Sequence, residues 1–180
     1  MKETLALVLV CGVLAACASD ASKEGPAMTI ELTSPAFAGG QPIPKKHTCE
    51  GSDVSPPLQW ASVPEGVKSF ALVCDDPDAP MGTWVHWVLY DIPAGARELG
   101  ENVPKKPALD NGARQGANDS RRPGYGGPCP PPGNPHRYFF TLYALDAMLS
   151  LEEGATKKDV DKAMRGHILA QGQLMGTYKR

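Results

Sequence analysis

The chain has 180 residues, of which 42% are hydrophobic and 21% are charged, and its formal net charge at pH 7 is −2. This length and composition predict one globular domain with a hydrophobic core. The basic residues are scattered in pairs, such as Lys45-Lys46 and Arg121-Arg122, and form no positive stripe, which argues against a nucleic-acid partner.

The N-terminal residues have the pattern of an export signal. The apolar run from Leu5 to Ala16 is shorter than the roughly 20 residues that a membrane-spanning helix needs, so residues 1–16 are predicted to be a signal peptide. The run ends in Leu14-Ala15-Ala16-Cys17, which resembles the lipobox of bacterial lipoproteins. The resemblance implies cleavage before Cys17 and lipidation of its sulfur, which would attach the protein to a membrane. Ordinary secretion with cleavage nearby is the alternative.

Residues 17–27 are accordingly predicted to be a lipid anchor and flexible tether, followed by a folded domain over residues 28–180. The predicted location is the bacterial cell envelope, facing the periplasm. By resemblance, Ala18-Ser19 in place of an acid directly after Cys17 slightly favours the outer membrane.

The remaining cysteines predict one disulfide. Of five cysteines, Cys11 lies in the leader, Cys17 is the predicted lipid site, and Cys74 ends an apolar run typical of a buried strand. Cys49 and Cys129 are left, and in an oxidising compartment we expect them to pair. A reactive Cys129 thiol near His136 is the alternative.

Hydrophobic periodicity predicts a β-rich domain with one helix. Alternating or continuously apolar runs predict strands at residues 28–33, 58–60, 69–74, 84–92, 137–145 and 174–178. In the run from Trp84 to Ile92, strict alternation predicts that His86 shares a face with Trp84, Val88 and Tyr90. Thr156 with Asp159 three residues later predicts a helix start, and one helical face carries Val160, Ala163, Met164, His167 and Ile168. Gly172 is predicted to end this helix.

Two acids and two histidines lie within or directly beside these predicted strands. Asp76-Pro77-Asp78 follows the apolar run at residues 69–74, His86 lies inside the next strand, and His136 begins a later one. Taken singly, Asp-Pro-Asp is also typical of a turn, and an apolar strand often holds a structural histidine. His47, beside two lysines, is predicted to lie on the surface, and His167 on a helix face with no evident role.

Together these residues form a recognisable pattern. Asp76-Pro77-Asp78-Ala79-Pro80, Trp84-Val85-His86-Trp87 and the stretch from Gly127 to Tyr138 resemble the signature regions of the phosphatidylethanolamine-binding protein family. The bacterial, Raf kinase inhibitor-like branch is the most similar. The resemblance implies a mainly β fold, with a large central antiparallel sheet, a smaller sheet and a C-terminal helix. It implies no cofactor, and it implies a ligand pocket formed by Asp76, Asp78, Pro80, His86, Gly127, His136 and Tyr138.

The chemistry of these residues suits an anion. Asp76 is predicted to accept a hydrogen bond from His86 and to favour the protonated ring, whose other nitrogen would face the ligand as a donor. His136, the Tyr138 hydroxyl and backbone N–H groups near Gly127 would add donors. The short link from Pro80 to Trp84 departs from the family pattern, so phospholipid headgroup specificity and kinase inhibition are not implied for this chain.

The leading hypothesis is a lipid-anchored binding protein for a small phosphate-like or carboxylate anion, without catalysis. One alternative is a module that regulates a protease or signalling protein and contacts its partner through residues 112–135, part of a long proline-rich and glycine-rich stretch. Another is a hydrolase or metal-dependent enzyme that uses the histidines and carboxylates.

Overall fold

A six-stranded sheet forms the centre of the domain. The structure is a computed structural model that describes residues 28–180; the predicted signal peptide, Cys17 and the tether lie outside these residues. The strand order is β1-β9-β8-β4-β5-β7, and all neighbours are antiparallel except β1 and β9. The strands are β1 (Met28–Thr29), β4 (Ser69–Asp76), β5 (Trp84–Pro93), β7 (Arg114–Gln115), β8 (His136–Leu145) and β9 (Ile168–Tyr178).

A smaller antiparallel sheet covers part of this one. Its order is β2 (Glu31–Thr33), β3 (Leu58–Ala61) and β6 (Glu98–Leu99). The predicted strand over residues 28–33 is therefore split between the two sheets, because β1 pairs with β9 whereas β2 pairs with β3. The mainly β architecture with two sheets confirms the predicted fold class.

Two hydrophobic clusters hold the layers together. The larger lies between the sheets, where the Trp60 ring meets the Phe70 ring edge-on at 5.5 Å. Alternate residues of β8 are buried in it, as the periodicity predicted, namely Tyr138, Phe140, Leu142 and Ala144. The smaller cluster lies on the other face of the large sheet and joins Val88 and Tyr90 to Val160 and Met164 of the helical region. Burial of both faces explains why β5 is apolar throughout.

A β-bulge in β5 corrects the predicted face of His86. Asp75 pairs with Val85 and Cys74 with Trp87, so His86 of β5 has no counterpart on β4 and the alternation of β5 is interrupted there. Val85 consequently packs with Val88 and Tyr90. The His86 ring meets Tyr138 instead, at 5.2 Å between centroids. The bulge thus aims His86 toward the strand that carries the rest of the site.

The helix is shorter than predicted. Helix α1 (Lys157–Ala163) begins with the predicted capping box of Thr156 and Asp159. It ends well before Gly172, because Ile168 already begins β9. A Cβ at Gly172 would lie 2.2 Å from the Ile30 carbonyl oxygen, so this glycine allows a close backbone approach and does not end a helix. His167 lies beyond α1 and its Nδ1 is 2.7 Å from Asp146 Oδ1, so its predicted helical placement is wrong.

The long segment between β5 and β8 covers the outer edge of β5. Besides β6 and β7, it supplies backbone N–H groups of Gly116, Asp119 and Gly126, which donate to carbonyl oxygens of β5 over 2.9–3.0 Å. These bonds occupy an edge that would otherwise be open to pairing with another chain. Within residues 28–180, no helix has the length and apolar character needed to cross a membrane.

Candidate functional site

A cavity of about 300 Å³ lies at one end of the large sheet. Antiparallel pairing brings the end of β4 beside the starts of β5 and β8, so acids that leave one strand lie next to histidines that begin the others. Six of the seven predicted pocket residues line the cavity: Asp76, Pro80, His86, Gly127, His136 and Tyr138. Asp78 is not among the lining residues.

The partner of Asp76 is His136, not His86. Asp76 Oδ2 lies 2.8 Å from Nδ1 of His136, and both side chains are almost completely buried. The other carboxylate oxygen accepts the backbone N–H of Asp78 over 2.8 Å. Because a carboxylate only accepts, Nδ1 of His136 carries a proton and its Nε2 is the atom left for the cavity. The predicted Asp76–His86 hydrogen bond is therefore wrong.

His86 is held by the backbone. Its Nδ1 donates to the Gly126 carbonyl oxygen over 2.7 Å, and its own carbonyl accepts the Gly126 N–H over 2.9 Å. Burial lowers the pKa of His86 below its ordinary value, against the opposing effects of the Gly126 carbonyl and of Asp76, Asp119 and Asp53. The neutral ring with a proton on Nδ1 offers a lone pair at Nε2. His86 was predicted to be protonated and to donate a hydrogen bond to the ligand; in the structure its free nitrogen, Nε2, is a hydrogen-bond acceptor.

Tyr138 contributes a buried hydroxyl. The residue has 0% relative exposure, and within residues 28–180 its Oη makes no hydrogen bond of ordinary geometry, although the Asp76 carboxylate lies near enough to act on its pKa. Burial, and next the charge of Asp76, raise the pKa of Tyr138 well above its ordinary value, so the group stays a hydroxyl. A buried hydroxyl without a partner is costly. Tyr138 follows His136 by two residues on β8 and lines the cavity with it.

Gly127 supports the wall but does not offer its N–H. That group donates to Asp53 Oδ1 over 2.6 Å, so the predicted ligand donor is already used. A Cβ at Gly127 would lie 2.6 Å from the His47 carbonyl oxygen and 2.7 Å from Asp53 Oδ1. The site thus needs glycine for close packing.

Asp78 stabilises the rim through Arg137. Its carboxylate accepts the backbone N–H, Nε and Nη2 of Arg137 over 2.8–2.9 Å. The Arg137 guanidinium lowers the pKa of Asp78 to about 2. Asp78 therefore connects the acidic turn to β8 and is a support, whereas the sequence predicted a ligand contact.

The disulfide forms part of the wall. The sulfur atoms of Cys49 and Cys129 are 2.06 Å apart, a bonded distance for the predicted pair, and Cys129 lines the cavity with Pro130 and Pro131. Cys74 is buried and free, as predicted. The bridge fixes the proline-rich stretch before His136 against the segment that contains His47.

Comparison with known proteins gives the family. The sequence profile described as Phosphatidylethanolamine-binding protein matches residues 33–179. The chain belongs to the phosphatidylethanolamine-binding protein family. A UPF0098 protein of Aquifex aeolicus is 54% identical over 153 residues, which cover 84% of this chain and 89% of the relative. A UPF0098 protein of Methanothermobacter thermautotrophicus is 52% identical over 151 residues, covering 84% and 99%.

Two solved structures of family members have a similar fold. The homologue CT736 of Chlamydia trachomatis is 44% identical with a TM-score of 0.77. Escherichia coli YbcL, described as a new member of the mammalian family, is 33% identical with a TM-score of 0.78. Each comparison covers 84% of this chain and 98% of the other.

In this member of the phosphatidylethanolamine-binding protein family, the supports of the pocket include residues that the sequence did not single out. His47 is buried, not on the surface as predicted: its Nδ1 lies 2.9 Å from the Val54 carbonyl oxygen, and its own carbonyl accepts the Tyr125 hydroxyl. Asp53 joins Gly127 to Lys105, whose Nζ lies 2.7 Å from Oδ2. Asn118 and Ser120 also line the cavity. No periodic pattern marks these residues, since His47 ends a single 3-10 turn (Lys45–His47) and the others lie in loops.

The cavity of this family member holds little positive charge. Among the described residues, no lysine or arginine lines it, and Asp76 is the only lining carboxylate. Within residues 28–180, no three His, Cys, Asp or Glu side chains are grouped in a way that could hold a metal ion.

Proposed function

We propose that this protein binds the head of a small phosphate-like or carboxylate anion in the cavity and leaves it chemically unchanged. The observation that carries the proposal is the Tyr138 hydroxyl, which is buried on a ring packed against His86 and makes no hydrogen bond of ordinary geometry to any residue of the described chain. An unsatisfied buried polar group costs about 1–3 kcal/mol. A ligand oxygen in the cavity would accept this hydroxyl proton and remove that cost.

The size and lining of the cavity agree with a compact head group attached to an apolar body. Besides the polar residues, the cavity is lined by Trp84, Pro80, Pro130 and Pro131. Such a pocket, mostly apolar with a few placed polar groups, is typical of small-molecule sites.

Calorimetric titration with phenylphosphonate and benzoate tests the proposal. We expect saturable binding of one equivalent by the wild type and weaker binding by Tyr138→Phe. His167→Gln is the matched control, because His167 lies outside the cavity. Absence of binding of both compounds by the wild type would show that the proposed function is wrong.

A hydrolase is the second candidate. The His136–Asp76 pair has the arrangement of a general base held by a carboxylate, with Nε2 free. Incubation with p-nitrophenyl phosphate distinguishes the two: turnover that disappears in His136→Gln supports catalysis, and binding without turnover supports the first proposal.

We also propose export and anchoring through lipid at Cys17, with the domain facing the periplasm. The lipobox-like residues before Cys17 and the Cys49–Cys129 pair support this, since disulfides persist in oxidising compartments. Fractionation tests it: Cys17→Ser should release the protein from the membrane fraction.

A further inference from the structure

We propose that the cavity recognises a proton on its ligand: His86 Nε2 accepts the acidic proton of a singly protonated phosphate or phosphonate, so oxyanions without such a proton are rejected. The inference rests on the proposed binding function and specifies the ligand class of that site. It follows from the hydrogen bonds of the two histidines and from the charges of the cavity wall.

The Gly126 carbonyl determines the tautomer of His86. The Gly126 carbonyl oxygen, 2.7 Å from Nδ1, can only accept, so the ring proton lies on Nδ1. The other nitrogen of a neutral imidazole is an acceptor. His86 is 6% exposed and lines the cavity, so Nε2 is the ring atom available to a ligand.

Burial and the surrounding charges determine whether the His86 ring is protonated. Burial opposes protonation, whereas three acids favour it: Asp76 on β4, and Asp53 and Asp119 on loops. Asp53 is neutralised by Lys105, and Asp76 is paired with His136 of β8. Tyr138, the group packed against the ring edge, stays a neutral hydroxyl. Within residues 28–180, Asp119 has no cationic partner, and it accepts the backbone N–H of Val85 over 2.7 Å. Burial outweighs the three acids and lowers the pKa of His86, so the ring stays neutral near pH 7.

The net charge of the cavity wall limits the charge of the ligand that can bind. The pair of Asp76 and His136 has a net charge of either −1 or zero, depending on whether the ring is protonated. Within the described chain, no lysine or arginine lines the cavity. With His86 neutral, the wall therefore carries no net positive charge, and a fully deprotonated dianion would meet acceptors without a compensating cation.

A proton on the ligand compensates both for the unpaired acceptor at His86 Nε2 and for the missing positive charge of the cavity wall. It lowers the ligand charge and supplies the donor that His86 Nε2 lacks. Phosphate monoesters have a second pKa of about 6, so roughly a tenth of them carry this proton at pH 7. Carboxylates with a pKa near 4 carry it in only roughly one molecule in several hundred. Sulfonates have none, so phosphates and phosphonates are the preferred class.

The test compares phenylphosphonate with benzenesulfonate, which share a ring and a tetrahedral head but differ in the titratable proton. Calorimetric titration of the wild-type protein at pH 7 and constant ionic strength should give at least tenfold tighter binding of the phosphonate, since a site built to pair with a ligand proton rejects analogues that lack it. Equal binding of the sulfonate would overturn the inference and leave the anion-binding function intact. If neither the phosphonate nor the sulfonate binds, the inference is wrong, and if benzoate also fails to bind, the proposed anion-binding function is wrong as well.

The pH dependence separates this mechanism from simple charge attraction. Above pH 7 the phosphonate affinity should fall toward tenfold per pH unit, because the protonated form is depleted, whereas the weak sulfonate affinity should stay constant. Attraction of the dianion by a positive site would instead make the phosphonate affinity rise with pH. A protonated His86 donor would make both affinities fall together. Either of these two results would overturn the inference.

Discussion

Nδ1 of His136 donates to Oδ2 of Asp76 over 2.8 Å in the buried end of the large sheet. One carboxylate thereby orients a ring at the start of β8, and its second oxygen fixes the turn after β4 through the Asp78 N–H. Asp76 is accordingly a positioning residue, and its loss should affect both folding and binding.

Asp76→Asn should reduce both stability and affinity. The amide preserves the shape, but a neutral group replaces a buried charged acceptor, and its N–H₂ group can face Nδ1–H of His136. We expect a loss of about 1.5–3 kcal/mol in the free energy of unfolding, the range for a hydrogen bond to a charged group, together with weaker binding of phenylphosphonate. Urea denaturation and calorimetry measure these effects. Asp110→Asn is the control, since that side chain is 95% exposed; equal effects at both sites would contradict the positioning role.

Tyr138→Phe should separate binding from stability. Because Oη has no partner among the described residues, its removal should not lower the free energy of unfolding of the ligand-free protein and should raise it by up to about 1–3 kcal/mol, the cost of an unsatisfied buried hydroxyl. Affinity for phenylphosphonate should fall by about tenfold, as a hydrogen bond to a charged oxygen is lost. Tyr143→Phe, on the opposite face of β8, should change neither, and unchanged binding by Tyr138→Phe would remove Tyr138 from the site.

Gly127→Ala should destabilise the cavity wall. The added methyl group would meet the His47 carbonyl oxygen and Asp53 Oδ1 at under 3 Å, so backbone must move. We expect a loss of about 1–3 kcal/mol by thermal or urea unfolding. Gly95→Ala is the matched control, because its Cβ would have no atom within 4 Å. Equal stability of the two variants would show that the wall adapts without cost.

Removal of the Cys49–Cys129 bridge should destabilise the fold and weaken binding. The bridge spans a sequence separation of 80, for which the chain-entropy estimate is about 4–5 kcal/mol as an upper value. Urea unfolding of the Cys49→Ser/Cys129→Ser double variant measures the loss, and binding should weaken because Cys129 and Pro130 line the cavity. A reductant should reproduce the effect in the wild type and do nothing further to the variant. A wild type insensitive to reduction would contradict this role.

Acidification should destabilise the protein through His86. Burial lowers its pKa in the folded state, so between that value and about 6.5 the unfolded chain binds more protons than the folded one. The contribution of His86 is thus complete above about pH 6.5 and is lost as the pH falls through the folded pKa. An NMR titration should place the ring pKa below 6.5, and His86→Gln should make stability less dependent on pH in this range. A ring pKa at or above 6.5 would contradict the neutral acceptor.

Hydrophobic periodicity was sufficient to predict the strands that have one strongly buried face. Alternation located β8 and its inner residues because the register of a half-buried strand is fixed by its apolar positions. The same period failed at His86, where a bulge adds a residue that sequence alternation cannot show, and at Ile30, where the chain passes from one sheet to the other.

The site was predicted as a set of residues but not as a set of bonds. The signature residues come together, yet sequence does not state which histidine meets Asp76, since β5 with His86 and β8 with His136 both pair with β4. Asp53 and His47 act from loops without periodicity, so their support of Gly127 is visible only in three dimensions.

The parallel pairing of β1 with β9 determines where the chain enters the domain. Thr29 lies beside Gln171, whereas the cavity end of β9 is marked by Tyr178, which pairs with His136. Seven residues of strand separate these positions, a distance of roughly 23 Å at about 3.3 Å per residue. The chain therefore enters the domain, at Met28, near the end of the large sheet that lies opposite the pocket, so a surface or a label attached through residues before Met28 is joined to the domain at a distance from the ligand site.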